Sequence, residues 1–167
     1  MSRRILRDVR RSIEFEDMYN RLGNREYKWT GGERPDGAPL FGTLRELLCF
    51  AAVLGFQLSR REELAGHTTA PIPEEVFAKN EDALSCVRMI ALAHSKDYLI
   101  FAEERIDEMV NIFEEYALGG SRLLNHFLSE LPTDILGAEA LLEGLRKEKL
   151  LPPRSTNTGG GLGAVRF

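Results

Sequence analysis

The sequence predicts an all-α fold, a compact multi-helix domain around a buried central helix, with a long polar loop near the N-terminus. Apolar residues recur at helical spacing along most of the 167 residues, and the alternating pattern of half-buried strands is nearly absent. The least polar long stretch, residues 41–56, has helix signals at both ends. Because a helix that is apolar on nearly every side must be buried on several sides, we expect this one to form the centre of the core.

The central helix is predicted over residues 43–54. Thr43 and Glu46 have the spacing of a capping box, in which the glutamate carboxylate reaches back to the Thr43 N–H. Gly55 follows the last apolar run, at the left-handed position that often ends a helix. At roughly 12 residues the helix is too short to span a bilayer, which needs about 20.

The other predicted helices are placed by apolar spacing and by Gly, Pro and capping residues. The first covers residues 13–22, the second is a short segment after Pro73, and the third is capped by Asn80 and breaks at Ser95 and Lys96. Residues 97–118 form the longest helix, which ends at Gly119 and Gly120. The last two run from Ser121 to Leu131 and over residues 134–147, with Thr133 as the cap.

Composition divides the chain into three parts. Residues 1–12 form a basic N-terminal arm, residues 13–147 the helical domain, and residues 148–167 a flexible tail rich in Pro and Gly. Residues 25–40 contain the turn-forming residues of the polar loop. We expect Trp29, the only tryptophan, to anchor this loop on the helices rather than to serve as an exposed binding aromatic.

The overall composition is that of an ordinary soluble domain, with 43% hydrophobic and 29% charged residues. No apolar run is long enough for a membrane helix, and no leader-like segment follows the first Met. Cys49 and Cys86 lie in apolar patterns without a CxxC motif, which favours buried, reduced thiols. We therefore expect a cytoplasmic protein.

Charge is distributed unevenly. The arm carries five arginines and one aspartate, whereas the other 155 residues carry 17 basic and 25 acidic side chains. Guanidinium groups pair well with phosphates, so the arm is a candidate DNA contact. The predicted DNA-binding set is Arg3, Arg4, Arg7, Arg10, Arg11, Arg45, Arg60 and Arg61. The alternative is that the arm pairs with the acidic body or stays solvated.

A second candidate surface is the acidic side of the long helix, which could dock on a basic partner. Its residues are Glu103, Glu104, Asp107, Glu108, Glu114 and Glu115. An acidic surface repels DNA, which favours a protein partner. A solvated helix face accounts for the same pattern, and an enzyme that uses these carboxylates with a divalent cation is a third, weaker alternative.

No catalytic motif accompanies these charges. The three histidines lack partners at metal-ligand spacing, and neither cysteine belongs to a nucleophile motif. The glycine cluster at 159–163 lacks the Lys-Ser/Thr of a phosphate-binding loop. We expect no enzymatic activity, no cofactor and no metal site.

An ordered series of segments resembles the Dnd system-associated protein four family. The segments are Phe41 to Phe56, Arg60-Arg61, Pro71 to Phe77, Ile90 to Ala93 with Asp97, and Ile112 to Gly120, within a resemblance that covers roughly residues 13–130. The resemblance implies association with DNA phosphorothioation, in which sulfur replaces a non-bridging phosphate oxygen, and with restriction of unmodified DNA. It assigns no catalytic residues.

The resulting hypothesis is a non-enzymatic accessory component of a phosphorothioation-linked defence system that acts by DNA binding, protein binding or both. The alternative is an acidic helical interaction module of a defence complex that does not contact DNA. In either case the expected partners are other proteins of the modification or restriction system, and no membrane is involved.

Overall fold

The computed structural model describes residues 4–28 and 39–155. Within these ranges the chain forms six α-helices: α1 (Glu16–Gly23), α2 (Leu44–Gln57), α3 (Glu74–Ala78), α4 (Glu81–Ser95), α5 (Ile106–Glu130) and α6 (Ala138–Lys147). Short 3-10 turns span Ile13–Phe15, Tyr98–Phe101 and Glu103–Arg105. The same ranges contain no β-strand, only two isolated antiparallel bridges. The predicted all-α class is confirmed.

The core is centred on the contact between α2 and α5. These two helices make the most extensive helix–helix contact, α1 and α4 also pack on α2, and α4 and α6 pack on α5. Leu47, Leu48 and Ala51 of α2 are buried in the same hydrophobic core as Val110 and Phe113 of α5. The segment predicted as the central helix is therefore buried as expected, but it shares the centre with the longer α5.

The capping predictions are confirmed for α2 and α4 and wrong in one detail. The Thr43 hydroxyl accepts a hydrogen bond from the Glu46 N–H at 3.2 Å, and the Asn80 side chain accepts one from Ala83 at 2.9 Å. The Glu46 carboxylate accepts from the Gly42 N–H at 2.8 Å rather than from Thr43. At both helix starts, free backbone N–H groups thus donate to side chains that are close in sequence.

Three glycines predicted to end helices lie inside helices instead. Helix α2 continues through Gly55 to Gln57, and α5 continues through Gly119 and Gly120 to Glu130. A Cβ atom on Gly120 would overlap the carbonyl oxygen of Ala51, and one on Gly55 would overlap that of Tyr116. These glycines permit a close approach of α2 and α5, so their role is packing rather than termination.

The ends of α5 and α6 also differ from prediction. The stretch from Asp97 begins with 3-10 turns, and the α-helix starts only at Ile106. Ser121 does not open a new helix but lies within α5, where its hydroxyl donates to the Ala117 carbonyl at 2.7 Å. Helix α6 starts at Ala138, and Asp134, not Thr133, accepts hydrogen bonds from Gly137 and Ala140.

The N-terminal segment packs on the helices in an extended conformation. Val9 exchanges backbone hydrogen bonds with Ile72 at 2.9 and 2.8 Å, and Leu6 and Val9 are buried. Arg3, most of the polar loop including Trp29, and the tail from residue 156 lie outside the described residues. None of the described helices is both long and apolar enough to cross a membrane.

Candidate functional site

The N-terminal segment places three arginines along one face of α5. Leu6 and Val9 are buried in the core, and the residue that follows each of them, Arg7 and Arg10, reaches α5. On that helix Asp107, Asn111 and Glu114 follow at intervals of four and three residues, so their side chains share one face. We call Arg4, Arg7, Arg10, Asp107, Asn111 and Glu114 the Glu114 cluster.

Glu114 is the centre of the cluster and is only 2% exposed. Its carboxylate accepts hydrogen bonds from Arg7 Nη1 at 2.7 Å, from the Arg10 backbone N–H at 2.6 Å and from Arg10 Nη2 at 2.9 Å. The hydrogen bond to this carboxylate raises the pKa of Arg10 above its ordinary value. A buried carboxylate is tolerated because both of its oxygens are paired with charged donors.

The rest of the cluster continues the pairing along α5. The Asn111 side-chain oxygen accepts from Arg7 Nη2 at 2.5 Å and from Arg10 Nη2 at 3.0 Å. Asp107 lies 3.4 Å from Arg7 Nε and 3.5 Å from Arg4 Nη2. The guanidinium groups of Arg7 and Arg10 are thus paired within the chain, but only Arg7 is largely buried, whereas the side chains of Arg10 and Arg4 are 42% and 49% exposed.

The other predicted DNA-binding arginines differ in their surroundings. Arg11 donates to the Ala70 carbonyl at 3.0 Å, Arg45 donates to the Val76 carbonyl at 3.1 Å, and Arg61 pairs with Glu115. Arg60 is exposed and makes no side-chain hydrogen bond or ion pair with any described residue. The seven of these arginines that lie in the described part of the chain therefore do not form one free basic surface.

The residues of the predicted acidic surface also differ in their surroundings. Asp107 and Glu114 belong to the Glu114 cluster, Glu108 pairs with Arg105 at 2.7 Å, and Glu115 pairs with Arg61. Glu103 and Glu104 are exposed and form no ion pair with the described residues. Much of the arm and much of the acidic helix thus face each other, and the binding roles of both sets stay predictions.

A second polar network joins α4 to α5 through His94. Its Nε2 lies 2.8 Å from an Arg61 Nη1, and its Nδ1 lies 2.9 Å from the Tyr116 hydroxyl. Because a guanidinium can only donate, Nε2 must accept, and Nδ1 carries the proton in the neutral ring. Burial, followed by the charge of Arg61, lowers the pKa of His94 below its ordinary value.

This network predicts a pH-dependent contribution to stability. With the folded pKa below the unfolded one, the unfolded state binds more protons, so the free energy of unfolding falls as pH drops below about 6.5. Between about pH 7.5 and pH 5.5, the wild type should lose more stability than His94→Gln, which keeps a neutral acceptor. Urea denaturation at both pH values measures this, with exposed His67→Gln as the control. Equal losses in the wild type and His94→Gln would contradict the prediction.

Metal and thiol chemistry have no obvious centre in the described ranges. No group of three or more His, Cys, Asp or Glu side chains is arranged there to hold a metal ion. Cys49 and Cys86 are partly buried free thiols, and the Cys86 sulfur lies 3.8 Å from the Cys49 carbonyl oxygen. Many charged side chains of the described residues form ion pairs with one another.

The position of Glu114 in the sequence indicates that this carboxylate is buried. Glu114 follows Val110 by four residues and precedes Ala117 by three, so it lies on the buried stripe of α5. A carboxylate at such a position needs a cationic partner. The periodicity therefore indicates that a partner exists, but not that it comes from the N-terminal segment.

These features define a small all-α protein whose N-terminal segment is held to its longest helix by a buried ion-pair cluster. The chain belongs to the DNA sulphur modification system-associated protein 4 family, whose model matches residues 8–152. The predicted family is confirmed, and the match extends beyond residues 13–130 at both ends. No characterised protein and no solved structure gives a significant match to the chain. Membership makes it an accessory protein of a DNA sulphur modification system.

Proposed function

We propose that this chain is a non-enzymatic accessory component of the modification or restriction machinery that acts by binding other proteins of the system. The Glu114 cluster is the main observation that favours protein binding. Arg7 and Arg10 donate to Glu114 and Asn111, so two guanidinium groups of the arm are engaged within the chain and are less available to a phosphate backbone. Protein binding is therefore favoured over DNA binding through the arm.

The charge of the chain supports the same choice. Its net charge is −4, and an acidic protein gains no long-range attraction to DNA. Arg60 and the half-exposed Arg4 are cations that could still reach a phosphate. They come from segments of the chain far apart in sequence, and DNA binding through them is the competing hypothesis.

Capture from the host cell tests the proposal. Full-length tagged chain is purified with and without nuclease treatment, and the retained proteins are identified by mass spectrometry. We expect proteins of the DNA sulphur modification system to be retained equally in both preparations, because the contacts are between proteins. Loss of these proteins after nuclease treatment would favour a DNA-mediated association instead.

Titration of duplex DNA against salt tests the competing hypothesis. Substituting Arg7 or Arg10 would remove one of the two arginine partners of the buried Glu114, so the informative variant is Arg4→Ala with Arg60→Ala. We expect this double variant to leave the weak dependence of DNA affinity on salt unchanged. If both arginines contact phosphates, the slope of log affinity against log salt should instead fall by about two.

A further inference from the structure

An apolar groove lies between the N-terminal segment, α4 and the start of α5. Its volume is about 360 Å³, and it is lined by Arg4, Ile5, Arg88, Phe101, Ile106 and Met109. The lining thus comes from four separate places in the chain: the extended N-terminal segment, α4, the turn Tyr98–Phe101 and the start of α5. A groove built in this way persists without a ligand, as binding sites generally do.

The floor of the groove exposes apolar side chains to water. Ile5 is 44% exposed and Phe101 is 38% exposed, although both types of side chain are normally drawn into a core. The turn that carries Phe101 also exposes Tyr98 and Leu99, at 75% and 52%. Covering such surface is favourable by about 25 cal/mol per Å², so it suits a partner.

The rim of the groove is basic. Arg88 is exposed and makes no hydrogen bond or ion pair with any residue in the described ranges. Arg4 donates to the Leu6 carbonyl at 3.1 Å and lies 3.5 Å from Asp107, which leaves its guanidinium about half exposed. The lining itself contains two guanidinium groups and no carboxylate. A positive groove on a chain of net charge −4 selects for an anionic ligand.

We propose that this groove binds an acidic, apolar segment of a partner protein. An apolar side chain of the partner would cover Ile5 and Phe101, and a neighbouring carboxylate would pair with Arg88. This inference rests on the proposed function, for which it names the surface and the chemistry of the partner. A nucleic acid matches the rim only, because phosphates over the apolar floor would lose hydration without gaining hydrogen bonds.

Binding of a defined peptide tests the groove directly. The probe is an end-capped, fluorescent peptide of alternating Leu and Glu, titrated with the full-length chain and followed by anisotropy. We expect it to bind and to bind less tightly at higher salt, whereas a Leu and Lys peptide should not bind. Arg88→Glu should weaken binding of the acidic peptide about tenfold or more, since it replaces attraction with repulsion.

Arg60→Glu is the matched control, because Arg60 is also exposed and has no partner among the described residues. It should leave the affinity of the acidic peptide unchanged. Ile5→Asp is a second groove variant, which puts a carboxylate on the floor and should weaken binding to a similar extent. The proposal is overturned if the acidic peptide does not bind, if both peptides bind equally, or if Arg60→Glu weakens binding as much as the groove variants.

Capture from the host cell separates failure of the groove from failure of the proposed function. Retention of system proteins by the wild type and their loss in Arg88→Glu would support both. Equal retention by the wild type and Arg88→Glu would overturn the groove and leave the proposed function standing. If the wild type retains no system protein, the proposed function fails, and the peptide titration still decides whether the groove binds acidic segments.

Discussion

Glu114→Gln is expected to lower the free energy of unfolding by about 3 kcal/mol, because it breaks a buried ion pair. The glutamine amide would place N–H donors where Arg7 and Arg10 now donate, and the Arg7 side chain is only 15% exposed. Water cannot easily replace the lost carboxylate at such a site, so the Arg7 charge would keep only the exposed Asp107, 3.4 Å away, as a carboxylate partner. Urea or guanidinium denaturation measures the change.

The matched control for this substitution is Glu104→Gln. It removes the same charge from an exposed side chain that forms no ion pair with the described residues, and we expect a change of less than about 0.5 kcal/mol. Similar losses in both variants would mean that Glu114 contributes through net charge alone. That result would remove the basis for treating Arg7 and Arg10 as structural.

Gly120→Ala is expected to destabilise the chain by about 2 kcal/mol, against the usual preference of helices for alanine. Within a helix the change from glycine to alanine normally gains about 1 kcal/mol. Here the new methyl group would overlap the Ala51 carbonyl oxygen, which belongs to the backbone of α2 and cannot rotate away. The two helices must therefore separate, and overpacking of this kind costs about 1–3 kcal/mol or more.

Asn125→Ala provides the control, since Asn125 lies in the same helix and is exposed. It adds the same residue without a steric conflict and should raise stability by about 0.5 kcal/mol. The midpoint and slope of chemical denaturation report both variants. Equal stability of Gly120→Ala and Asn125→Ala would show that α2 and α5 are not in backbone contact at Gly120.

The features that could be predicted from sequence are local. Thr43 and Asn80 were identified as helix caps because a cap and its N–H partner lie within three residues of each other. The apolar stripe of α2 was identified because burial of a helix face is visible in its spacing. The family was identified because several such segments occur in a characteristic order.

The predictions of helix ends and caps that are wrong rest on local sequence patterns that are compatible with two different structures. A glycine pair after an apolar run ends many helices, yet Gly119 and Gly120 lie within α5 because another backbone passes against them. Thr133 does not cap α6, whose N-cap is Gly137, and the Asp134 side chain satisfies the Ala140 N–H because the path of the chain brings that carboxylate to the helix start. Spacing alone cannot distinguish these cases.

In the candidate site, too, the local features could be predicted from the sequence, but the long-range contacts could not. The charges of the arm and of the long helix are evident in the sequence, but their mutual pairing is not. Arg10 and Glu114 are separated by 104 residues, and only the packing of the extended N-terminal segment beside α5 brings them together. The groove around Ile5, Arg88 and Phe101 likewise combines segments that have no sequence relationship.

The helical class, the family and the total of the charges thus follow from the amino-acid sequence, since these depend on residue type and near-neighbour spacing. Which charges are free depends on the packing of the helices. A guanidinium and a carboxylate attract at any sequence separation, and the fold selects the pairs that end up within hydrogen-bonding distance. It paired Arg7 and Arg10 with Glu114 and left Arg88 exposed beside an apolar floor.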